Sequence, residues 1–319
     1  MKQGNAAPVT YMPALKKVPL AKRIWKHRTI YLFILPAFVW FLIFCYYPMY
    51  GLLLAFKDYK FSKGILGSAW VGLKWFRRFS FDPAFWNVVR NTLKISVMKL
   101  VLTFPVPIIL ALMMNAVPNG AYKRVVQTVS YMPHFISWVV VAAMLQKLFS
   151  PYGGLVNSIR QAINPNAVAI HYLGEGKYFY WFVILSDIWK GCGWGTIIYL
   201  ASLSGIDPAL YEAATIDGAR PMQMIVRITL PLLYPTIALM LIMNLGNILN
   251  VGYEQLLQIQ TSQTQHLAEV IDTYVIRTGL TSGSHSYATA IGLMKSAITL
   301  ALVVAVNKIS DKLTGISLF

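Results

Sequence analysis

Long apolar segments alternate with short polar connections along most of the chain. A helix that crosses the hydrocarbon core of a bilayer needs roughly 20 mostly apolar residues. Six segments reach that length, and they predict an all-α membrane protein whose two termini lie on the same side of the bilayer. The predicted spans are Tyr31–Tyr50, Ile95–Val117, Val125–Phe149, Tyr178–Ser204, Leu232–Val251 and Tyr287–Val306.

The composition also indicates a membrane protein. Of the 319 residues, 57% are hydrophobic and 12% are charged, whereas an ordinary soluble domain carries about 25% charged residues. Lys and Arg outnumber Asp and Glu by 28 to 11, which gives a formal net charge of +17. In a soluble protein this excess would suggest nucleic acid, but here it predicts cations at the membrane faces. Cys45 and Cys192 lie inside apolar segments, and their spacing predicts neither a disulfide framework nor a metal site.

Basic residues in short connections predict the orientation, because such connections stay in the cytoplasm. Residues 1–30 contain seven Lys or Arg and no acid, which predicts a basic cytoplasmic or interfacial segment before a transmembrane domain at 31–319. Residues 51–90, in a predicted outer loop, also hold seven Lys or Arg. These two basic segments favour opposite orientations. We assign the orientation from the N-terminal segment, because the first span usually sets the topology. Both termini are therefore predicted to be cytoplasmic.

One predicted cytoplasmic connection, at about 205–231, is half polar although it joins two apolar spans; its residues 211 to 231 read YEAATIDGARPMQMIVRITLP. Asp207 can cap a helix whose first turn holds Pro208. Gly218 permits the left-handed backbone that ends such a helix. Pro221 can then begin a second helix that leads into the fifth span. The connection is predicted to be a helix, a break and a return helix.

The first of these helices carries small, apolar and acidic side chains that a partner could contact. From composition alone, a docking surface and an ordinary solvated loop are both open. The candidate contact residues are Tyr211, Glu212, Ala213, Ala214, Asp217 and Gly218.

The spacing in this connection follows a known motif: Glu-Ala-Ala, three residues, Gly, nine residues and Ile-x-Leu-Pro. Residues 212–214, Gly218 and 228–231 meet it in full. This resembles the coupling loop of permease subunits in ABC importers. The resemblance implies that the helix from Tyr211 to Gly218 docks in a cleft of an ATPase subunit.

Further segments resemble the maltose-type carbohydrate permeases, and most of all their LplB-type branch, which serves complex polysaccharide fragments. These segments are 187–219, 250–255, 269–280 and 287–300. The resemblance implies a MetI-like type I importer fold with six transmembrane helices, and a non-catalytic permease in the cell membrane that imports neutral or acidic oligosaccharides.

The resemblance also implies the partners of this chain: a second homologous permease subunit, two ATPase subunits and an extracellular solute-binding protein. The chain contains no G-x-x-x-x-G-K-[ST] phosphate loop, so ATP and Mg²⁺ are expected at the partner ATPase subunits and no cofactor is expected in this chain.

Charged residues inside the predicted spans are candidate substrate contacts, because charges are costly at bilayer depth. Asp187 and Lys190 lie three residues apart on one helix face, which allows either a structural ion pair or contact with substrate. Trp194 can stack on a sugar or anchor the helix at the membrane interface. Gly191 and Gly195 have a spacing that lets another helix approach closely.

Four polar residues recur along the predicted fifth span at steps of three, three and four. On a continuous helix, Asn244, Asn247, Asn250 and Glu254 would share one face. Amide side chains suit hydroxyl-rich ligands because each offers a donor and an acceptor. The stripe is predicted either to line a sugar pathway or to form hydrogen bonds between helices.

Prolines predict bends in the second and third spans, at Pro105, Pro107 and Pro133. Such bends free backbone carbonyl groups, which must then face protein or water. His134 is either a packed residue or a proton relay. In the sixth span, Lys295 can snorkel, pair or line the path, and the small residues at 288, 292 and 296 predict a close helix contact.

Two other classes of function compete with the importer. A secondary transporter or channel for a polar solute would predict inverted repeats and spans that are interrupted at matching places, and the sequence shows neither. An intramembrane enzyme is less consistent with the sequence, because the H-E-x-x-H and G-x-S-x-G motifs are absent.

Overall fold

The structure is a computed structural model that describes residues 25–117 and 120–315. Most of the predicted basic segment therefore lies outside the described residues, and its separation from the transmembrane domain stays a prediction. The chain divides into two compact units between Leu53 and Leu54.

The first unit contains helix α1 (Arg28–Phe41), followed by a π-helical turn at Leu42–Tyr46 and a 3-10 helix at Tyr47–Phe56 that runs past the unit boundary. All side chains at 25–50 are exposed. An apolar helix exposed on every side suits lipid or another apolar surface, which agrees with the first predicted span.

The second unit begins with small elements. Strands β1 (Lys57–Asp58) and β2 (Ala69–Trp70) pair antiparallel, with Lys57 opposite Trp70. Helix α2 (Gly64–Gly67) lies between them and α3 (Lys74–Ser80) follows. The two short strands correct the all-α prediction to a mostly helical fold.

The remaining elements are helical. The α-helices are α4 (Pro83–Leu102), α5 (Pro105–Ala116), α6 (Ala121–Tyr131), α7 (Trp138–Leu148), α8 (Leu155–Ile163), α9 (Gly176–Ser204), α10 (Pro208–Ile216), α11 (Pro221–Met224), α12 (Leu230–Gly246), α13 (Tyr253–Ile259), α14 (Gln265–Ala268), α15 (Ile271–Ile276) and α16 (His285–Thr314). Shorter helical turns lie at Phe61–Lys63, Met132–Phe135, Ile225–Thr229 and Arg277–Thr281.

Four helices of the described part are long and apolar enough to cross a membrane. They are Arg28–Phe56, Pro83–Ala116, Pro221–Gly246 and His285–Lys312. A fifth results if the two halves of a bent pair count as one span. Helix α9 is 29 residues long, but its polar residues leave it outside this group. The predicted count of six therefore stays a prediction.

Prolines interrupt the second and third predicted spans, and the predicted bend is present in the third. The third is broken between Phe135 and Trp138, where its two halves meet at 97°. The second is interrupted between Leu102 and Pro105 but continues as one long element. The physical cause is the same in both, because proline lacks the N–H that would extend the helical hydrogen bonds.

Three apolar clusters hold the second unit together. Phe85 and Ile291 belong to a cluster that joins α3, α4, α15 and α16. Phe179 and Leu256 belong to a second cluster, which packs α9 against α4, α7 and α13. A third, around Tyr199, joins α5, α9 and α12. Helices α4 and α9 each enter two of these clusters, so together they connect all three.

Candidate functional site

A cavity of about 740 Å³ lies between α4, α5, α9 and the end of α12. Its wall is mainly apolar, with a few polar side chains at defined places. Among the predicted path residues, five line it and two, Lys190 and Glu254, do not. Those that line it are Asp187, Trp194, Asn244, Asn247 and Asn250.

The three asparagines reach the cavity by a different route from the one predicted. Helix α12 ends at Gly246, so the predicted continuous helical stripe is wrong. Residues 247–252 form an irregular connection, and Gly252, with φ +81°, precedes α13. Asn244 still lies on α12, while Asn247 and Asn250 lie on the connection. Glu254 is exposed in the first turn of α13 and does not line the cavity.

Side chains from α4 provide the physical reason for this break. Ser96 donates to the carbonyl oxygen of Ile248, and Lys99 Nζ donates to that of Val251 at 2.9 Å. These side chains satisfy carbonyl groups that an uninterrupted helix would have bonded internally. A third bond, from Lys99 Nζ to Gln255 Oε1 at 2.7 Å, fixes the start of α13 as well.

Asp187 does not pair with Lys190, so the predicted ion pair on α9 is wrong. Its carboxylate faces Lys99 of α4, with 3.2 Å between Lys99 Nζ and Asp187 Oδ1. Lys190 Nζ donates instead to the carbonyl oxygen of His134, at 2.6 Å. This carbonyl lies in the bent segment between α6 and α7, so Lys190 satisfies a backbone group that the bend has freed.

Aromatic rings line the same side of α9. The ring of Trp194 stacks on that of His134 with centroids 4.5 Å apart and an interplanar angle of 3°. Trp194 also meets Phe135 edge to face. Because one face of its indole covers His134, Trp194 has a fixed orientation where it borders the cavity.

Glycines on α9 allow other helices to approach closely. A Cβ on Gly195 would lie 2.9 Å from Pro107 Cγ of α5, which agrees with the predicted close approach. Gly191 has open space instead and borders the cavity. The tightest contact is at Gly193, which the sequence analysis missed: a Cβ there would collide with the carbonyl of Ser130 on α6.

Lys295 of α16 forms a second ion pair, with Asp272 of α15. Its ammonium group also donates to Asn250 Oδ1 at 2.7 Å. Of the three roles left open for Lys295, the structure shows pairing. The predicted close contact along α16 holds for Ala288, which packs against Gly279, but Gly292 has open space beside it.

The connection after α9 has the predicted helix, break and return helix. Asp207 Oδ1 accepts from the backbone N–H of Ala209 at 2.9 Å and caps α10, which begins at Pro208. Gly218, with φ +73°, follows in the left-handed region. The return path begins at α11, whose Pro221 stands in the first turn.

Helix α10 buries none of its residues. Glu212, Ala213, Asp217 and Gly218 are exposed, whereas Ala214 and Tyr211 are half-buried. The hydroxyl groups of Tyr211 and Thr229 lie 3.0 Å apart, which ties α10 to the return helix. A helix held at its base and open along its length is suited to contact by a partner.

A polar cluster around Asp82 fixes the first turn of α4 to later helices. Asp82 Oδ2 accepts from the hydroxyl groups of Tyr287, at 3.0 Å, and Tyr274, at 3.3 Å. Asp82 Oδ1 caps α4 through the N–H of Ala84. Burial raises the pKa of the Tyr274 hydroxyl, so it stays a proton donor to this carboxylate at neutral pH.

Sequence reasoning missed the two lysines, at 99 and 295, as partners of Asp187 and Asn250. A signal for Lys99 exists, because it is a lone cation inside a predicted span, and such residues suggest function by default. Its partners lie far away in sequence, so spacing does not identify them. Among the described residues, no cluster of three or more His, Cys, Asp or Glu could hold a metal ion.

Residues 103–314 match a family model described as the binding-protein-dependent transport system inner membrane component. Two relatives come from Bacillus subtilis (strain 168). The polygalacturonan/rhamnogalacturonan transport system permease protein YteP is 40% identical over 310 residues, which is 97% of this chain and 96% of its own length. Protein LplB is 38% identical over 311 residues, which is 98% of this chain and 94% of its own length.

Two solved structures are also similar. A crystal structure of a bacterial ABC transporter involved in the import of the acidic polysaccharide alginate contains a chain that is 40% identical, with a TM-score of 0.84, covering 92% of this chain and 99% of that one. A crystal structure of the bacterial alginate ABC transporter in complex with the alginate pentasaccharide-bound periplasmic protein contains a chain that is 39% identical, with a TM-score of 0.84. The match covers 94% of this chain and 99% of that one.

Proposed function

Because the chain belongs to the family of binding-protein-dependent transport system inner membrane components, we propose that it is the permease subunit of an ATP-driven importer of polysaccharide-derived oligosaccharides, including acidic ones. The observation that carries this proposal is the exposed helix α10, which stands directly after the helix that lines the cavity. The relatives that transport polygalacturonan and alginate fragments support the substrate class.

Helix α9 provides the mechanical link between the two parts. Asp187 lies in its middle and Ser204 at its end, and the 17 residue steps from one to the other span about 25 Å at 1.5 Å per residue. A force on α10 therefore reaches the cavity wall through one rigid element that packs against α5, α6 and α12. Movement of α10 by a partner would shift this wall and change the side from which the cavity opens.

The energy comes from outside this chain. Two ATPase subunits bind ATP and Mg²⁺ and grip α10 and Gly218, while this permease is non-catalytic. A second, homologous permease completes the path, and an extracellular binding protein delivers the sugar. The structure of the alginate transporter with its periplasmic protein supports the last partner.

The proposed arrangement places α10 and both termini in the cytoplasm and the loops around α3, α8 and α15 outside. The chain then crosses the membrane six times, with α9 and the bent pair α6–α7 as crossings besides the four apolar helices. The cavity can accept hydroxyl groups through Asn244, Asn247 and Asn250, because an amide both donates and accepts hydrogen bonds.

Site-specific cross-linking tests the coupling role. Ile216 is 87% exposed on α10, and Ile163, at the end of α8, is 80% exposed. Each is replaced by cysteine in a chain whose Cys45 and Cys192 are alanine. We expect the cysteine at 216 to cross-link to an ATPase subunit in native membranes, and the cysteine at 163 to give no such product.

The same two variants test the orientation. A membrane-impermeant thiol reagent should label position 163 from outside intact cells and position 216 only after permeabilisation. Labelling of position 216 from outside, or the absence of a nucleotide-hydrolysing protein among its cross-linked partners, would refute the proposed function.

A further inference from the structure

We propose that Lys99 binds the carboxylate of an acidic sugar in the cavity, and that Asp187 is a resident counter-ion which the sugar displaces. The inference rests on the proposed function, because it concerns the same cavity. It goes further by assigning the recognition of charge to one pair of side chains and the recognition of hydroxyl groups to others.

The ammonium group of Lys99 is held in place without help from Asp187. Two of its three N–H groups donate to Val251 O at 2.9 Å and to Gln255 Oε1 at 2.7 Å. Gln255 is fully buried, and its amide donates to Val183 O at 2.6 Å and Ser186 Oγ at 2.9 Å. Lys99 therefore remains fixed when its counter-ion moves, which is the condition for a preorganised anion site.

Asp187, by contrast, is held by a single contact. The 3.2 Å ion pair with Lys99 is its one polar interaction in the described part of the chain. Its side chain is 25% exposed, against 16% for Lys99, and both residues line the cavity. A carboxylate that enters the cavity can take the third N–H of Lys99, while Asp187 turns towards the open volume.

The second buried ion pair provides an internal reference. Lys295 and Asp272 have similar exposure, 12% and 24% of their side chains. Neither residue lines the cavity. Lys295 reaches the cavity wall only through Asn250. The two pairs have the same chemistry, but of the two it is the Lys99–Asp187 pair that lines the cavity, so they can be compared by the same substitutions.

The pair also accounts for discrimination between substrates. A neutral sugar can bind the asparagines but leaves the Lys99–Asp187 pair intact and gains nothing from it. A uronate gains a charge-assisted hydrogen bond, which is stronger than a neutral one. It must also compete with Asp187, so the resident carboxylate limits the affinity and favours release of the cargo.

Equilibrium binding to the assembled transporter in lipid nanodiscs, without the binding protein, tests this inference. The probes are trigalacturonate and the same trisaccharide after reduction of its carboxyl groups. Wild type should prefer trigalacturonate. Asp187→Asn should tighten trigalacturonate binding by about tenfold, which corresponds to one hydrogen bond to a charged group. The affinity for the reduced trisaccharide should stay unchanged.

A second variant tests the role of Lys99 without the misfolding that an unpaired buried charge could cause. Lys99→Gln with Asp187→Asn replaces both charges by amides of similar size, so no unpaired charge is left buried. This double variant should bind both trisaccharides with equal affinity. The matched control, Lys295→Gln with Asp272→Asn, removes the other pair and should keep the wild-type preference.

Three results would overturn the inference: no binding of trigalacturonate by wild type, no change on Asp187→Asn, or a preference that survives in the Lys99 double variant. None of these affects the cross-link between α10 and the ATPase. Failure of carboxylate recognition can therefore be distinguished from failure of the proposed function.

Discussion

Gly218 ends α10 with φ +73°, a backbone conformation that L side chains rarely adopt. A Cβ added there would meet nothing within 4 Å, so the position requires a conformation rather than space. Gly283, in the connection before α16, has φ +65° and equally open surroundings. The two glycines differ in location but not in local geometry.

Replacement of Gly218 by valine should lower ATP-coupled uptake by about tenfold or more, because left-handed strain of about 1–2 kcal/mol displaces α10 relative to α11. Gly283→Val carries the same strain away from the proposed ATPase contact and should retain most of the uptake. Uptake by reconstituted transporter measures both variants. Equal loss in the two would mean that general strain, not coupling, causes the effect.

Gly193 is required for a different reason, which is the close contact of α9 with the backbone of Ser130. Gly193→Ala should destabilise the helix pair by about 1–3 kcal/mol, the usual cost of overpacking. Gly191→Ala on the same helix should leave stability equal or slightly higher, because alanine is the better helix former and the site is open. Thermal unfolding of the purified protein distinguishes them, and equal unfolding temperatures would contradict the contact.

Among the helices and connections, the segment between α7 and α9 is held in part by one buried amide side chain. Asn157, 2% exposed on α8, donates to Ser150 O and Ile170 O, both at 2.9 Å. Its Oδ1 accepts from the N–H of Ile170 at 3.0 Å. The Asn157 amide thus links Ser150, near the start of the segment, to Ile170, near its end.

Asn157→Ala should open this segment, because three hydrogen bonds are lost and buried backbone groups are left without partners, at a cost of about 1–3 kcal/mol. Amide hydrogen exchange at 150–172 should rise at least several-fold. Asn166→Ala is the control, since Asn166 is exposed and only its backbone N–H is bonded, to Asn164 Oδ1. Unchanged exchange in the Asn157 variant would show that apolar packing alone orders the loop.

The described part of the chain contains a cavity and the exposed helix α10, and the sequence contains no G-x-x-x-x-G-K-[ST] phosphate loop. Its described helices expose many large apolar side chains, among them Phe33 on α1 and Val101 on α4. Such surfaces suit lipid and a second permease subunit. The functional unit is therefore expected to be the assembly rather than this chain.

Proteoliposomes that contain this chain alone should show no ATP-driven sugar uptake. Uptake should appear when the second permease, the ATPase subunits and the binding protein are all present. Flux of labelled oligosaccharide measures both conditions. ATP-independent uptake by the chain alone would instead indicate a channel or secondary transporter.

The sequence by itself determined the features that depend on neighbours within a few residues. A cap such as Asp207 acts on the N–H of the residue two positions later, Gly218 permits a left-handed backbone, and Pro133 restricts its own φ. Length and apolarity likewise predicted the four candidate spans and the bent pair. Caps, backbone preferences and apolar segments depend on residues close in sequence, so they can be predicted without the tertiary structure.

Only the tertiary structure decided which polar groups pair inside the bundle. Lys99 and Asp187 are far apart in sequence, and they meet because α4 and α9 pack together. Other contacts of α4, from Ser96 to the carbonyl of Ile248 and from Lys99 to that of Val251, accompany the early end of α12, so the predicted stripe is an irregular segment instead. A buried charge takes the partner that satisfies it best, and helix packing, rather than spacing along one helix, determines which partners are within reach.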